Sequence, residues 1–414
     1  MRTKNLAILA VTPFLSWACA TEGAVEERDE PGAISDDGEG SPYDRGGTAP
    51  CANCGEPLAG LDEEHLAAFE VGLEDFSEEE EVEDGLGPVF NEIGCASCHD
   101  TPATGGSGTT LETRFGIVGD DGVFDAMPYA GGSLRQDHGI GELGTCGLAA
   151  EITPVDATVV AGRRTTPLFG LGLVDAVPDI VLQFIAAAQP ASIRGVPHWL
   201  TDIASGQRRI GRFGWKAQVA TVRTFSGDAY LNEMGITSPD FPVENCPQGD
   251  CDRLVDCDAL PDPEDDGESI TKFTDFMSLL AAPEPRPLTA TARRGERLFR
   301  DIGCAGCHVP TLVTGSSPVP QLDHVTLHPF SDFLLHDMGA LGDGITQGLA
   351  TGRLMRTAPL WGVSAQPFLL HDGRATTLGE AIRAHAGQGQ RSRDRFVQLS
   401  RSDRQALIAF LQSL

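Results

Sequence analysis

The chain carries CASCH at Cys95, Cys98 and His99, and CAGCH at Cys304, Cys307 and His308. Two thiols three residues apart can add to the two vinyl groups of one porphyrin while the adjacent histidine reaches its iron, so each pattern reads as a c-type haem attachment site. A redox dithiol beside a bystander histidine is the competing reading of one copy. Recurrence in matching contexts favours haem: Phe90, Ile93, Gly94, Cys95, Ala96, Cys98 and His99 return as Phe299, Ile302, Gly303, Cys304, Ala305, Cys307 and His308. Two covalently bound haem c groups are expected, with His99 and His308 as proximal ligands. The far side of each iron then decides its use, because two strong protein ligands suit electron transfer and an open position suits chemistry.

The repeat extends beyond the motifs. Arg164, Thr165, Pro167, Leu168 and Gly170 are answered by Arg356, Thr357, Pro359, Leu360 and Gly362, and RFGWKA ending at Ala217 is answered by LLHDGRA ending at Ala375. The spacing between copies shrinks along the chain, so the first unit carries insertions between His99 and Arg164 and between Gly170 and Trp215. Arg164 and Arg356 are expected to pair with haem propionates, whose carboxylates suit a planar guanidinium.

Helices must position these groups, since strand signals are sparse. The expected architecture is mainly α: two tandem cytochrome c-like haem domains, residues 85–284 and 285–414, the first with long insertions. Pro283 to Pro287 marks their boundary, after a helix from Phe273 to Leu280. Ala292 to Ile302 reads as a helix leading into Cys304. Ser402 and Gln405 form a candidate capping box for a last helix packed through Leu407, Ile408, Leu411 and Leu414. Leu66, Phe69, Leu73 and Phe76 fall at helical spacing and predict a helix docking on the first domain.

The 414 residues carry a net charge of −30. Residues 21–84 hold 22 acidic side chains against Arg28 and Arg45, a net of −20, and read as an acidic linker that ends in the docking helix. So acidic a chain repels nucleic acid and suits a basic redox partner. Residues 1–20 read as a secretory signal, from Arg2 and Lys4 through the apolar run Leu6 to Trp17. The mature protein is therefore expected in the periplasm or cell envelope, either cleaved free or lipid-anchored at Cys19, with membrane contact only through that terminus. Of the remaining cysteines, Cys51 and Cys54 predict a local disulfide, and Cys246, Cys251 and Cys257 need a fourth partner, for which Cys146 is the candidate. The acidic run Asp250 to Glu268 is read either as a solvated loop or as a binder of one calcium ion.

The segments GLGPVFNEIGCASCH, RRTTPLFGLGLVDAVPD, GRFGWKA, NEMGITSP, FSDFLLHDMG, RTAPLWG and LLHDGRATTLGEAIRAH resemble the bacterial di-haem cytochrome c peroxidase superfamily, and most closely its di-haem oxidoreductase branch, over residues 85–414. The resemblance implies that the second haem takes a ligand fourteen residues beyond His371, which is His385, with Met338 and His336 as rivals. A histidine there would hold the potential below that of a methionine-ligated haem. The resemblance also implies that Glu233, followed by Met234, is the acid-base residue of the first haem. Beside hydrogen peroxide its carboxylate would take a proton from the near oxygen and return it to the leaving hydroxyl. Arg223 replaces the family's glutamine and would polarise peroxide. Phe115 stands where some relatives keep a displaceable histidine, and His138 and Met234 are alternative resting caps of that iron. Phe213 takes the place of an interhaem tryptophan, leaving Trp215 as the electron relay. Relatives also hold calcium between their domains.

The expected activity is an exported di-haem peroxidase that reduces hydrogen peroxide at the His99 haem with electrons relayed through the His308 haem from a cytochrome c-type donor. Two alternatives stay open at this point: an electron-transfer cytochrome with two six-coordinate haems, and an enzyme that oxidises a protein or small substrate through high-valent haem, as the related methylamine-pathway maturation enzyme does.

Overall fold

The computed structural model describes residues 51–144, 146–258 and 260–414. The signal segment, Cys19 and most of the acidic linker lie outside the described residues. Helix is the main regular structure, 36% against 14% strand, and most strands are only two or three residues long.

The docking helix α1, Glu63–Phe76, is capped by Asp62, whose carboxylate accepts the His65 amide. Phe69 and Phe76 are buried and meet Phe276 at ring separations of 5.4 and 4.7 Å. At Gly72 an added Cβ would stand 2.4 Å from the Lys272 carbonyl oxygen, so only glycine allows this crossing. Helix α2, Val222–Met234, is capped at Thr221 and ends on Gly235 at φ 73°. Helix α3, Glu268–Leu279, faces α1 and α2 with Ile270, Phe273, Phe276 and Met277. Together these helices bury one apolar core around the first motif, and Leu312, Leu322, Leu327, Phe333 and Trp361 reach into it from the second half of the sequence.

A second core gathers Phe299, Ile302, Leu369, Leu378, Phe396, Leu407, Phe410 and Leu411. It joins helix α4, Ala290–Asp301, helix α5, Leu378–Ala384, and helix α6, Arg401–Leu411. Leu407, Ile408, Leu411 and Leu414 are buried as their spacing implies. The cap of α6 is not Ser402: the Ser400 hydroxyl accepts the Asp403 amide at 3.2 Å, because the helix starts two residues before the expected box. Helix α4 stops at Asp301, and Gly303 at φ 100° turns the chain into the short turn Cys304–Gly306.

The first insertion does not stay a loop. It folds into an antiparallel sheet in which the central strand β1, Leu111–Val118, pairs with β2, Phe124–Asp125, β3, Leu134–Arg135, and β4, Val159–Arg164, the last in register from Leu111 opposite Arg164 to Gly116 opposite Val159. Alternation along β1 puts Glu112 and Arg114 on one face. Disulfides join Cys51 to Cys54, Cys146 to Cys257 and Cys246 to Cys251, which supplies the expected partner for the acidic loop. Among the described residues no helix is long and apolar enough to cross a membrane.

Candidate haem sites

Two cavities open over the two motifs. Cys95, Cys98 and His99 line the first, and Cys304, Cys307 and His308 line the second. All six other described cysteines are paired, whereas these four thiols are free.

The histidines are set up as metal ligands. His99 Nδ1 donates to the Gly106 carbonyl at 3.0 Å and His308 Nδ1 to the Phe330 carbonyl at 2.9 Å. Each bond fixes the tautomer that leaves Nε2 unprotonated. Burial pushes both imidazoles down to about 4, so they are neutral and able to coordinate at neutral pH.

Across the second cavity, His385 is presented at the end of α5, with Nδ1 donating to the Ala381 carbonyl at 2.8 Å. Its ring centre lies 6.4 Å from that of His308. Two imidazoles on one metal, at about 2 Å per bond and roughly 1 Å more to each ring centre, would stand about 6 Å apart. The pair therefore fits one iron between them. His336 is already engaged on both ring nitrogens, as Nε2 meets Asp332 at 2.9 Å and Nδ1 meets Gln388 at 3.1 Å. Burial alone would lower its pKa, but Asp332 and the Cys307 sulfur raise it to about 10, which makes it a doubly donating cation with no lone pair for iron. Met338 lines the same cavity, so the second wall offers both His385 and a methionine.

Arg164 and Arg356 end equivalent strands, β4 and the strand Leu354–Arg356. The Arg164 amide donates to the His371 carbonyl at 2.7 Å and its Nε to the Leu370 carbonyl at 3.0 Å. Reciprocally, the Arg356 amide donates to the Trp215 carbonyl at 2.9 Å and its Nε to the Gly214 carbonyl at 2.7 Å. Each repeat's arginine thus crosses to the other repeat. Both guanidiniums are buried, neither is ion-paired with a carboxylate within the described residues, and burial lowers both to about 10. Cations left unpaired at an apolar cavity suit carboxylates brought by a ligand, which is the propionate role expected of them.

This reciprocity corrects the register of the third echo. Gly214 and Leu370, the two acceptors, share a left-handed backbone at φ 72° and 71°. The bridges Phe213 to Val219 and Leu369 to Ala375 close loops of equal length, and Thr221 and Thr377 cap the helices that follow. Val219, not Ala217, therefore answers Ala375. In that register Trp215 answers His371, and their rings meet edge to face at 6.2 Å. His385 is answered by Ala229, which lines the first cavity. Helix α5 stops at His385, but α2 runs on to Met234 and so carries Glu233 into the first cavity.

Glu233 is buried there and accepts from Asn91 Nδ2 at 2.8 Å. Its carboxyl shares a hydrogen bond with Glu112, which Arg114 holds through Nε at 3.0 Å and Nη2 at 3.1 Å. Burial first, then the Glu112 charge, pushes Glu233 up to about 8. Burial opposes ionisation of Glu112 too, but Arg114 and Arg163 outweigh it and keep that carboxylate charged. The two carboxyls thus share one proton. Arg163 continues the network, as its Nε donates to Asp343 at 2.8 Å and Lys216 Nζ binds the other Asp343 oxygen at 2.7 Å.

The other expected residues divide. Trp215 lines both cavities, with Nε1 donating to the Arg164 carbonyl at 2.9 Å. Met234 lines the first cavity. Arg223 does not: its Nε is drawn outward to Asp240 at 2.9 Å, because that carboxylate stands on the solvent side of α2. His138 lies outside as well, half exposed beside Glu142, and Phe115 packs with Met127 and Ala130 inside the sheet. Sequence reasoning missed Glu112 and Arg114; the available signal was their i, i+2 spacing in a strand-like run.

The family model described as di-haem oxidoreductase, putative peroxidase, matches residues 150–414. The chain belongs to this di-haem oxidoreductase family. The match contains the second attachment motif, both arginines, Trp215, Glu233 and His385; the first motif precedes it. Membership implies two haems, and both cavities fit them. Similar solved chains include hydrazine synthase of Kuenenia stuttgartiensis, 16% identical over 93% of this chain and 100% of that one, with a TM-score of 0.37. A MauG-like protein associated with microbial copper homeostasis is 14% identical over 92% and 95%, TM-score 0.38. The diheme peroxidase BthA of Burkholderia thailandensis is 14% identical over 86% of each chain, TM-score 0.39. No curated protein matches the chain.

Proposed function

We propose that this di-haem oxidoreductase is a peroxidase that reduces hydrogen peroxide at the His99 site with electrons entering through the His308 site. The carrying observation is Ala229 in the first cavity at the position of His385 in the second. An alanine leaves the far side of one haem open to a small molecule, while a histidine closes the other. In this reading Cys95, Cys98, Cys304 and Cys307 attach the haems covalently, His99, His308 and His385 ligate iron, and Arg164 and Arg356 hold propionates. The haems, when bound, supply electron storage and the Lewis-acid centre for O–O cleavage.

The chain supplies the protons. Glu233, once ionised, accepts the proton of the near peroxide oxygen and returns it to the departing hydroxyl, which leaves as water. Two electrons and two further protons then complete the balance of one peroxide to two waters. Glu112 tunes Glu233, Arg114 fixes Glu112, and Asn91 orients the Glu233 carboxyl. Trp215, packed between the cavities and against His371, gives an aromatic route between them. The domains are proposed as residues 85–284 and 285–414, joined through Arg163, Lys216 and Asp343. A small cytochrome c-type protein is the proposed donor, and export with attachment at Cys19 remains part of the proposal. Stopped-flow mixing of the reduced holoprotein with peroxide tests it: oxidation should be fast and should slow by at least tenfold in Glu233→Gln. Undiminished oxidation in that variant would remove Glu233 from the reaction.

A further inference from the structure

A second cluster of carboxylates, away from both cavities, lies where the chain leaving α2 meets the disulfide-bonded acidic loop. Glu244, Asp262 and Glu264 each place a carboxylate oxygen within 4.8 Å of the others. Glu244 is the unusual member. It is only 6% exposed, and neither of its carboxylate oxygens has a hydrogen-bond partner among the described residues. A buried carboxylate normally receives several donors, since leaving it bare is among the costlier defects a fold can hold. Its nearest charged neighbours, Glu264, Asp262 and Asp258, are all acidic.

The surrounding backbone organises the other two carboxylates instead of neutralising the third. The Thr237 amide donates to Glu264 Oε2 at 2.8 Å, and the Thr237 hydroxyl lies 3.0 Å from Asp262 Oδ1 and also bonds Glu264. The cluster still lacks positive charge. Asp262 is exposed while Glu244 is buried, so a cation here would take protein oxygens on one side and water on the other.

We infer that Glu244, Asp262 and Glu264 bind one calcium ion. Calcium–oxygen bonds of about 2.3–2.6 Å place ligand oxygens up to about 5 Å apart, which matches the spread of this cluster. The donors are all hard oxygens, with no histidine or cysteine among them, which disfavours zinc. Magnesium is disfavoured because it keeps most of its water and seldom recruits three carboxylates. The ion would tie the acidic loop to Thr237, three residues beyond the end of α2. This inference does not depend on the peroxidase reading.

The test compares wild-type holoprotein with Glu244→Gln and Asp262→Asn after equilibrium dialysis against calcium, counting calcium per chain by elemental analysis. Each variant should hold one ion fewer than wild type. Reading the count as a difference keeps calcium bound elsewhere out of the result. Chelation should lower the melting temperature of wild type more than that of either variant, and magnesium should not restore it. Asp262 is exposed, so its variant keeps the test decisive if Glu244→Gln folds poorly. Equal calcium counts in wild type and the Asp262→Asn variant, with equal response to chelation, would overturn the inference.

Discussion

Glu112→Gln should make the protein a better peroxidase at neutral pH. Glu233 must lose its proton before it can accept one from peroxide, so kcat/KM should rise with pH through the Glu233 titration, near 8 in wild type. Burial is the first cause of that high value and the Glu112 charge the second. A like charge in hydrogen-bond contact typically accounts for about 1–3 pH units, and one unit corresponds to about 1.4 kcal/mol. Replacing Glu112 by glutamine removes the charge and also releases Arg114, now bonded to Glu112 at 3.0 and 3.1 Å, to approach Glu233. Both effects favour the ionised form. A shift of about one unit would raise the ionised fraction at pH 7 from about one-tenth to about one-half, roughly a fivefold gain in kcat/KM. The assay is steady-state oxidation of a reduced small cytochrome c from pH 6 to 9. An acid limb unmoved in Glu112→Gln, or one that survives in Glu233→Gln, would refute the assignment of proton transfer to this pair.

Other expectations follow from the same geometry. His385→Met should raise the potential of one haem and leave the other near its wild-type value, since methionine favours reduced iron; redox titration with optical detection would show two unchanged potentials if His385 is not a ligand. Asp343→Asn strips the shared partner from buried Arg163 and Lys216 and should cost about 3–5 kcal/mol, measured by urea unfolding of the holoprotein; a loss below about 1 kcal/mol would contradict a structural role for this triad. Trp215→Leu should slow electron passage between the haems by at least tenfold in stopped-flow traces while both haem spectra stay unchanged, and equal rates would remove Trp215 from the route.

Much of this site was legible because its signals are local. The attachment motifs, α1 and α4 depend on neighbours a few residues apart, and the Cys146 partner followed from counting cysteines. His385 came from the family resemblance, and its position opposite His308 agrees with that count. What escaped was set by distant pairing. Glu112 and Arg114 reach the first cavity only because β1 pairs with β4 across the whole insertion, a register that single-strand composition does not specify. Arg223 was misplaced for the converse reason: a count along α2 cannot see Asp240 drawing the side chain outward. The two-residue shift in the third echo emerged from carbonyls that accept Arg164 and Arg356 across the repeat. That shift set Ala229 against His385 and so made the two cavities chemically unequal.

The most direct test is electron spin resonance of the ferric holoprotein, before and after peroxide, in wild type and His385→Ala. The account predicts one low-spin haem that changes with the His385 substitution and a second, high-spin haem that responds to peroxide. Two low-spin signals in every redox state, with no oxidation of reduced cytochrome c by peroxide, would contradict it.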